Sequence, residues 1–269
     1  MDNAIERILR RDRAILIAGL IAITLLAWAY VINLSFQMTN TAMDASPSMD
    51  MSSTPMMPNI QAWRVEDFLF NLTMWAVMMV AMMTPSATPM ILTFAGLNRR
   101  RNPNESAGNT AISFLAGYLA IWFSFSVIAT LTQWGFHSVG LLSPELISVT
   151  PLIGAILLIL AGIYQFTPLK YACLSNCRAP VSFLATEWRD GTSGALIMGL
   201  RHGLYCLGCC WTLMLLLFVT GVMNLLWVAV IAGYVLIEKA TPVGQRISCI
   251  IGLLMIGWGA WLLFQGFGI

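Results

Sequence analysis

The chain has 269 residues, of which 58% are hydrophobic and only 10% charged, where soluble domains carry roughly a quarter charged residues. With a mean hydropathy of +0.78, this composition excludes a soluble globule and points to the lipid bilayer. The net charge of +2 is too small to suggest a nucleic-acid partner.

A helix needs about 20 apolar residues to cross a hydrocarbon core near 30 Å thick. In chain order, residues 1–13 form a basic N-terminus, and Ala14 to Leu34 is the first apolar run of spanning length. Ala27-Trp28-Ala29 resembles a signal-peptide cleavage site, but the apolar run continues past it, so the segment is expected to stay as a helix. Residues 35–67 form a polar, Met-rich segment. A membrane domain of six helices then fills 68–269. Its apolar runs are Phe68 to Leu97, Ala111 to Trp134, Pro151 to Phe166, a run that begins between Gly194 and Arg201 and ends near Thr220, Val222 to Ile237, and Ile247 to Phe264. Backbone groups in lipid must be bonded within the segment, so all are expected to be helices. The fold expected is an all-α polytopic transmembrane bundle of about seven helices.

Lysine and arginine orient such a bundle. Of the 14 in the chain, all but Arg64 fall on one side when seven spans are drawn. The N-terminus is therefore expected in the cytoplasm and the C-terminus outside, as in a multi-pass protein of a bacterial inner membrane.

The segment 35–67 then lies outside and carries Met38, Met43, Met49, Met51, Met56 and Met57 among Ser, Thr, Asn and Pro. Thioethers prefer soft metals, so the segment reads either as a trap for Cu(I) or as an unconstrained loop. The second span contains "MWAVMMVAMMTPSATPM". Met74, Met78 and Met82 are spaced by four, as are Met79 and Met83, which makes two neighbouring strips on one helix. These are soft ligands or adaptable packing. Pro85 and Pro89 break the helical ladder below them and leave carbonyls for a neighbour to satisfy.

The fifth span opens with "RHGLYCLGCCW". At about 100° per residue, Cys206 and Cys209 lie within roughly 40° of His202, while Cys210 lies near 80°. His202, Cys206 and Cys209 thus share a face near the inner end of the span. Imidazole and thiolate are ligands for Cu(I) and Zn(II). Gly199 and Gly203 allow a neighbouring backbone to come close beside His202. The alternative is that these cysteines are small apolar filler. Cys173 and Cys177 form a C-x3-C pair in the basic segment before this span, where a reducing cytoplasm favours a metal or redox role over a structural disulfide. Glu238 and Lys239 close the sixth span, where charges can snorkel to the interface. His137 falls in an external loop with no evident partner, and Cys249 is solitary.

"MWAVMMVAMMTPSATPM", "GIYQFTPLKYACLSNCRAP", "WRDGTSGALIMGLRHGLYCLGCCW" and "GVMNLLWVAVIAGYVLIEK" together resemble a bacterial family of predicted metal-binding integral membrane proteins with a domain of unknown function. The resemblance covers roughly Phe68 to Leu263 and implies a metal role for Cys173, Cys177, His202, Cys206, Cys209 and Cys210. The Met-rich segment lies outside it.

The expected function is binding a soft transition metal, copper as Cu(I) ahead of Zn(II), with translocation or hand-over to a donor or acceptor protein. The soft ligands are His202, Cys206, Cys209, Cys210, Cys173, Cys177, Met78, Met82 and Met83. Two alternatives remain: a thiol–disulfide oxidoreductase, and a structural membrane subunit whose Cys and Met only pack. No catalytic constellation, nucleotide loop or oligomerisation signal is evident. The topology is checked by labelling in intact cells. A cysteine introduced as Asp50→Cys should react with an impermeant reagent and one introduced as Arg100→Cys should not; the reverse pattern would overturn the orientation.

Overall fold

The computed structural model describes residues 2–44, 63–102, 107–139, 151–222, 224–241 and 244–266, and the described residues contain helices and no strand. The described residues form ten helices: α1 (Asp2–Asp44), α2 (Val65–Arg101), α3 (Ala107–Ser138), α4 (Pro151–Tyr164), α5 (Pro168–Arg178), α6 (Pro180–Glu187), α7 (Gly191–Leu215), α8 (Leu217–Thr220), α9 (Leu225–Ala240) and α10 (Gly244–Gly266). Five segments are long and apolar enough to cross a membrane, or up to six if α4 and α5, bent by 66° at their junction, make one span. The expected seven spans are not all of crossing length: α9, the expected sixth, has 16 residues and α4, the expected fourth, has 14.

The boundaries follow local chemistry. The expected polar loop begins inside α1, which continues to Asp44. Apolarity ends at Leu34, but no Gly or Pro interrupts Ser35 to Asp44, so nothing breaks the backbone ladder. Of the loop methionines, Met38 lies exposed on α1 and Met43 lies on its last turn, while Met49, Met51, Met56 and Met57 fall outside the described residues. α2 starts where the Arg64 amide donates to Asp67 Oδ2 (2.9 Å) and ends on Arg99, Arg100 and Arg101, charges that suit the two ends of the helix dipole. "TPLK" is a helix start: Thr167 Oγ1 accepts from the Lys170 amide (3.3 Å) and Pro168 takes the first helical position. Pro180 starts α6 in the same way. Gly221, with φ of 92°, closes α8, and Asn224 caps α9 by accepting from the Trp227 amide (3.4 Å). The apolar run from Val222 therefore becomes helical only at Leu225.

α1, α2, α3 and α7 pack in that sequence, each on the next, while α4 pairs with α10 and α5 lies on α7. α9 touches α1, α2, α5, α7, α8 and α10 and joins the two groups. Pro85 lacks the amide that would bind the Ala81 carbonyl, and the Trp28 indole donates to that carbonyl instead (3.1 Å), so the break in α2 is sealed by α1. α3 and α7 meet backbone to backbone. A Cβ at Gly199 would lie 2.0 Å from the Phe114 carbonyl oxygen, and one at Gly117 would lie 2.3 Å from that of Leu196. Close approach through glycine is how helices pack where lipid gives no hydrophobic drive between them.

This contact yields a stability test. Gly199→Ala should destabilise the detergent-solubilised protein by about 1–3 kcal/mol, because the added methyl meets backbone that cannot yield. Gly96→Ala, with nothing within 4 Å of the new methyl, should be neutral or stabilising. Equal melting temperatures for the two variants would refute this packing.

Candidate metal centre

α7 begins behind Asp190, whose carboxylate accepts from the Trp188 indole (2.8 Å) and from Asn102 at the end of α2 (3.2 Å). The bond from Trp188, then that from Asn102, holds this exposed carboxyl below the usual carboxylate range. The anchoring starts the helix at Gly191, so His202 lies about 17 Å along it, near its middle rather than at its inner end.

His202 is 2% exposed and enclosed by rings: Tyr118 stacks on it at 5.5 Å, with Phe183 at 5.6 Å and Phe114 at 6.0 Å. Its Nδ1 has no hydrogen-bond partner among the described residues. A buried polar atom left unpaired costs about 1–3 kcal/mol, so it asks for a ligand or a proton partner.

Next to it, Cys206, Cys209 and Cys210 are all fully buried, and Cys177 is nearly so. α5 brings the buried Cys177 thiol close to those of Cys206 and Cys209. Cys210 joins the same group, since its thiol and that of Cys209 both donate to the Cys206 carbonyl (2.9 and 3.1 Å). The expectation that Cys210 stands apart on another face therefore does not hold. α7 is covered by α3 and by α5, and a thiol can swing back over the preceding turn, so angular position on the helix does not decide membership. Cys173 is half-buried and lies over Gly208, where an added Cβ would be 2.7 Å from its sulfur. All six cysteines are free thiols.

Residues that the sequence reading passed over complete the group. The Tyr118 hydroxyl lies 3.1 Å from Cys206 Sγ and 3.2 Å from the Met83 carbonyl, and its single proton serves one of them. Lys239 Nζ lies 2.9 Å from Cys206 Sγ and 3.2 Å from Ser86 Oγ. A hydroxyl in the middle of an apolar span was the available signal for Tyr118, because such a group needs a partner. The methionines of α2, including Met78, Met82 and Met83, are buried rather than lipid-facing. α3 separates most of α2 from α7, and α2 meets the thiol group through Ser86 and through the Met83 carbonyl.

Lys239 turns inward and does not snorkel, and neither does Glu238, which is fully buried and paired with Lys170, itself 2% exposed. Lys170 also donates to Gln165, while Tyr234 (3.2 Å) and Ser248 donate to the same Glu238 oxygen. Lys170 is thus part of the bundle interior and not a loop charge. Glu238 Oε2 and Gln165 Nε2 have no partner among the described residues. His137 lies on α3, its ring 5.8 Å from that of Trp63. A cavity of about 560 Å³ between α1 and α2, lined by Arg13, Pro89, Arg99 and Arg100 among others, shares no residue with the thiol group.

Among the described residues, no group of three or more His, Cys, Asp or Glu side chains stands arranged to hold a metal ion. The Cys209 and Cys210 thiols donate to the Cys206 carbonyl and Lys239 stands against Cys206 Sγ, so a metal could bind only by replacing those contacts. The donor set is nevertheless of the soft kind that thiophilic metals select.

The fold and this interior define a class: a helical protein with several helices long and apolar enough to cross a membrane and with buried thiols close to a buried histidine. The chain belongs to the PpoB2 copper chaperone family, whose model matches residues 72–262. The family is metal-related, as the sequence resemblance implies, and its metal is copper. No match was found among curated proteins or among solved structures.

The ion pair gives a prediction independent of copper. Lys170→Met should destabilise by about 3–5 kcal/mol, because it strands a buried carboxylate. Lys170→Met with Glu238→Leu should recover most of that loss. Thermal unfolding of both variants checks this, and a double variant no better than the single would count against a buried pair.

Proposed function

We propose that the protein is a multi-pass protein of a bacterial inner membrane that takes up copper as Cu(I) in its interior and passes it to an acceptor protein. Cys206 and Cys209 supply the principal thiolates, Cys177 and Cys210 the neighbouring sulfurs, and His202 Nδ1 an imidazole donor. The observation that carries this reading is the convergence of four buried sulfurs from α5 and α7 beside a buried histidine whose Nδ1 has no partner among the described residues. The family's copper role supports it. Cys173, half-buried over Gly208, stands at the edge as an entry or exit thiol.

On this reading the seven-span topology stands, with the short α9 completing its crossing through the polar groups that bury its end. Met38, Met43, Met49, Met51, Met56 and Met57 collect the ion outside, and Met78, Met82 and Met83 form the apolar approach. Cu(I) tolerates two- and three-coordinate sulfur environments, and the sulfurs need only draw together and release their present hydrogen bonds. No nucleotide-driven machinery is evident in the sequence, so movement follows the copper gradient or a partner's affinity.

Burial argues against thiol–disulfide exchange as the main activity. Exchange requires a thiolate that a partner disulfide can reach, and Cys206, Cys209 and Cys210 are fully enclosed. The packing-only reading leaves an unpaired imidazole nitrogen and an inward lysine ammonium without purpose.

The test is copper content per chain in detergent-purified protein. Cys206→Ala with Cys209→Ala should abolish Cu(I) binding, and serine at the same positions should do no better, since neither residue offers a soft anionic donor. His202→Ala should weaken binding, and Cys210→Ala should now weaken it too. Unchanged copper in the double variant would sink the proposed site.

A further inference from the structure

The ammonium of Lys239 lies 2.9 Å from the sulfur of Cys206. Its partners among the described residues are that thiol and the Ser86 hydroxyl. The adjacent carboxylate does not neutralise it. Glu238 leaves α9 in another direction and is held by Lys170, Tyr234 and Ser248. Consecutive residues of α9 therefore feed two separate polar groups, one with a carboxylate paired to its own lysine, the other with an ammonium facing thiols. An ordinary interfacial lysine would extend its nitrogen outward to headgroups.

We infer that Lys239 is a specificity-determining residue of the thiol group: its fixed positive charge biases the site towards a singly charged soft cation, Cu(I), and against Zn(II) and Cu(II). This rests on the proposed copper site.

The argument is electrostatic. Thiolate and imidazole donors bind both Cu(I) and Zn(II), so ligand chemistry alone separates the two poorly. Repulsion between an ammonium and a bound ion scales with the ion's charge, so a divalent ion at the same position suffers twice the penalty of a monovalent one. That holds whatever the number of ligating sulfurs. In a dry bundle interior the effect is large, because a Coulomb interaction at a few ångströms grows several-fold between water and protein dielectric. The ammonium also offsets the charge of thiolates before the metal arrives, and a buried thiolate group without it would be costly. A neutral residue at position 239 would leave a more negative site, which attracts the divalent ion more.

The experiment uses full-length protein in detergent, under reductant, at fixed pH. Cu(I) affinity is read by competition with a chromogenic Cu(I) chelator and Zn(II) affinity by competition with a chromogenic Zn(II) chelator. The quantity compared is the ratio of the two dissociation constants. Metal binding displaces protons from the thiols, so the pH is the same for every variant compared. Lys239→Met should shift the ratio towards Zn(II) by about ten- to a hundredfold. Lys239→Arg, which keeps the charge, should hold the wild-type ratio. Lys239→Gln, neutral but still able to make a polar contact with Ser86, should shift it in the same direction as Lys239→Met, and it decides the matter if Lys239→Met does not fold. An unchanged ratio in the neutralised variants overturns the inference, and so does an equal shift in Lys239→Arg. Wild-type protein that shows no cysteine-dependent Cu(I) binding would instead overturn the copper site, and this inference with it.

Discussion

α3 and α7 approach until backbone meets backbone, with Gly199 under Phe114 and Gly117 under Leu196. The rest of the interior depends on that approach. It stacks Tyr118 on His202 and brings the Tyr118 hydroxyl to Cys206. It also leaves the opposite flank of α7 free for α5, which delivers Cys177. A side chain at Gly199 would push α3 outward and open the ring enclosure around the imidazole. The stretch from Gly199 to Cys210 therefore combines a packing surface with a polar face on one helix.

α9 imposes the second constraint. It is too short to cross a bilayer comfortably, yet it ends on two charged residues that both turn inward. Charges in a bundle interior are tolerated only when other groups receive them. Glu238 finds Lys170, Tyr234 and Ser248, and those contacts tie α9 to α5 and α10. Lys239 finds Cys206 and Ser86, tying α9 to α7 and α2. One helix end thus joins the helical groups and places a positive charge at the thiols.

Membership in a copper chaperone family gives these contacts a purpose. A chaperone must hold its ion without trapping it. Thiols that donate to a backbone carbonyl, with an ammonium close by, are not locked in a finished coordination shell. At the proposed site, metal entry would replace those weak contacts and metal exit would restore them, which would keep the difference between the loaded and empty states small. A rigid preassembled cage would bind more tightly and release more slowly.

Much of the fold was legible in the sequence because it is local. Apolar length and the demand for internally bonded backbone mark α1, α2, α3, α7 and α10 as spanning helices. The glycine spacing at Gly199 and Gly203 signals a close neighbour, although not which helix it is. Helix ends were less legible: α1 outlasts its apolar stretch because nothing stops it, and α9 starts late because Asn224 caps it. His202, Cys206 and Cys209 stood out by residue type and shared face. The rest required tertiary structure. Angular position around one helix set Cys210 apart, whereas its thiol folds back onto the Cys206 carbonyl one turn earlier. Cys177, Tyr118 and Lys239 lie 29, 88 and 33 residues from Cys206 along the chain, and no periodicity records such distances. Glu238 and Lys239 read as interfacial charges for the same reason. Sequence pattern reports which side of a helix avoids water, but only the packed bundle determines which polar groups face one another inside it.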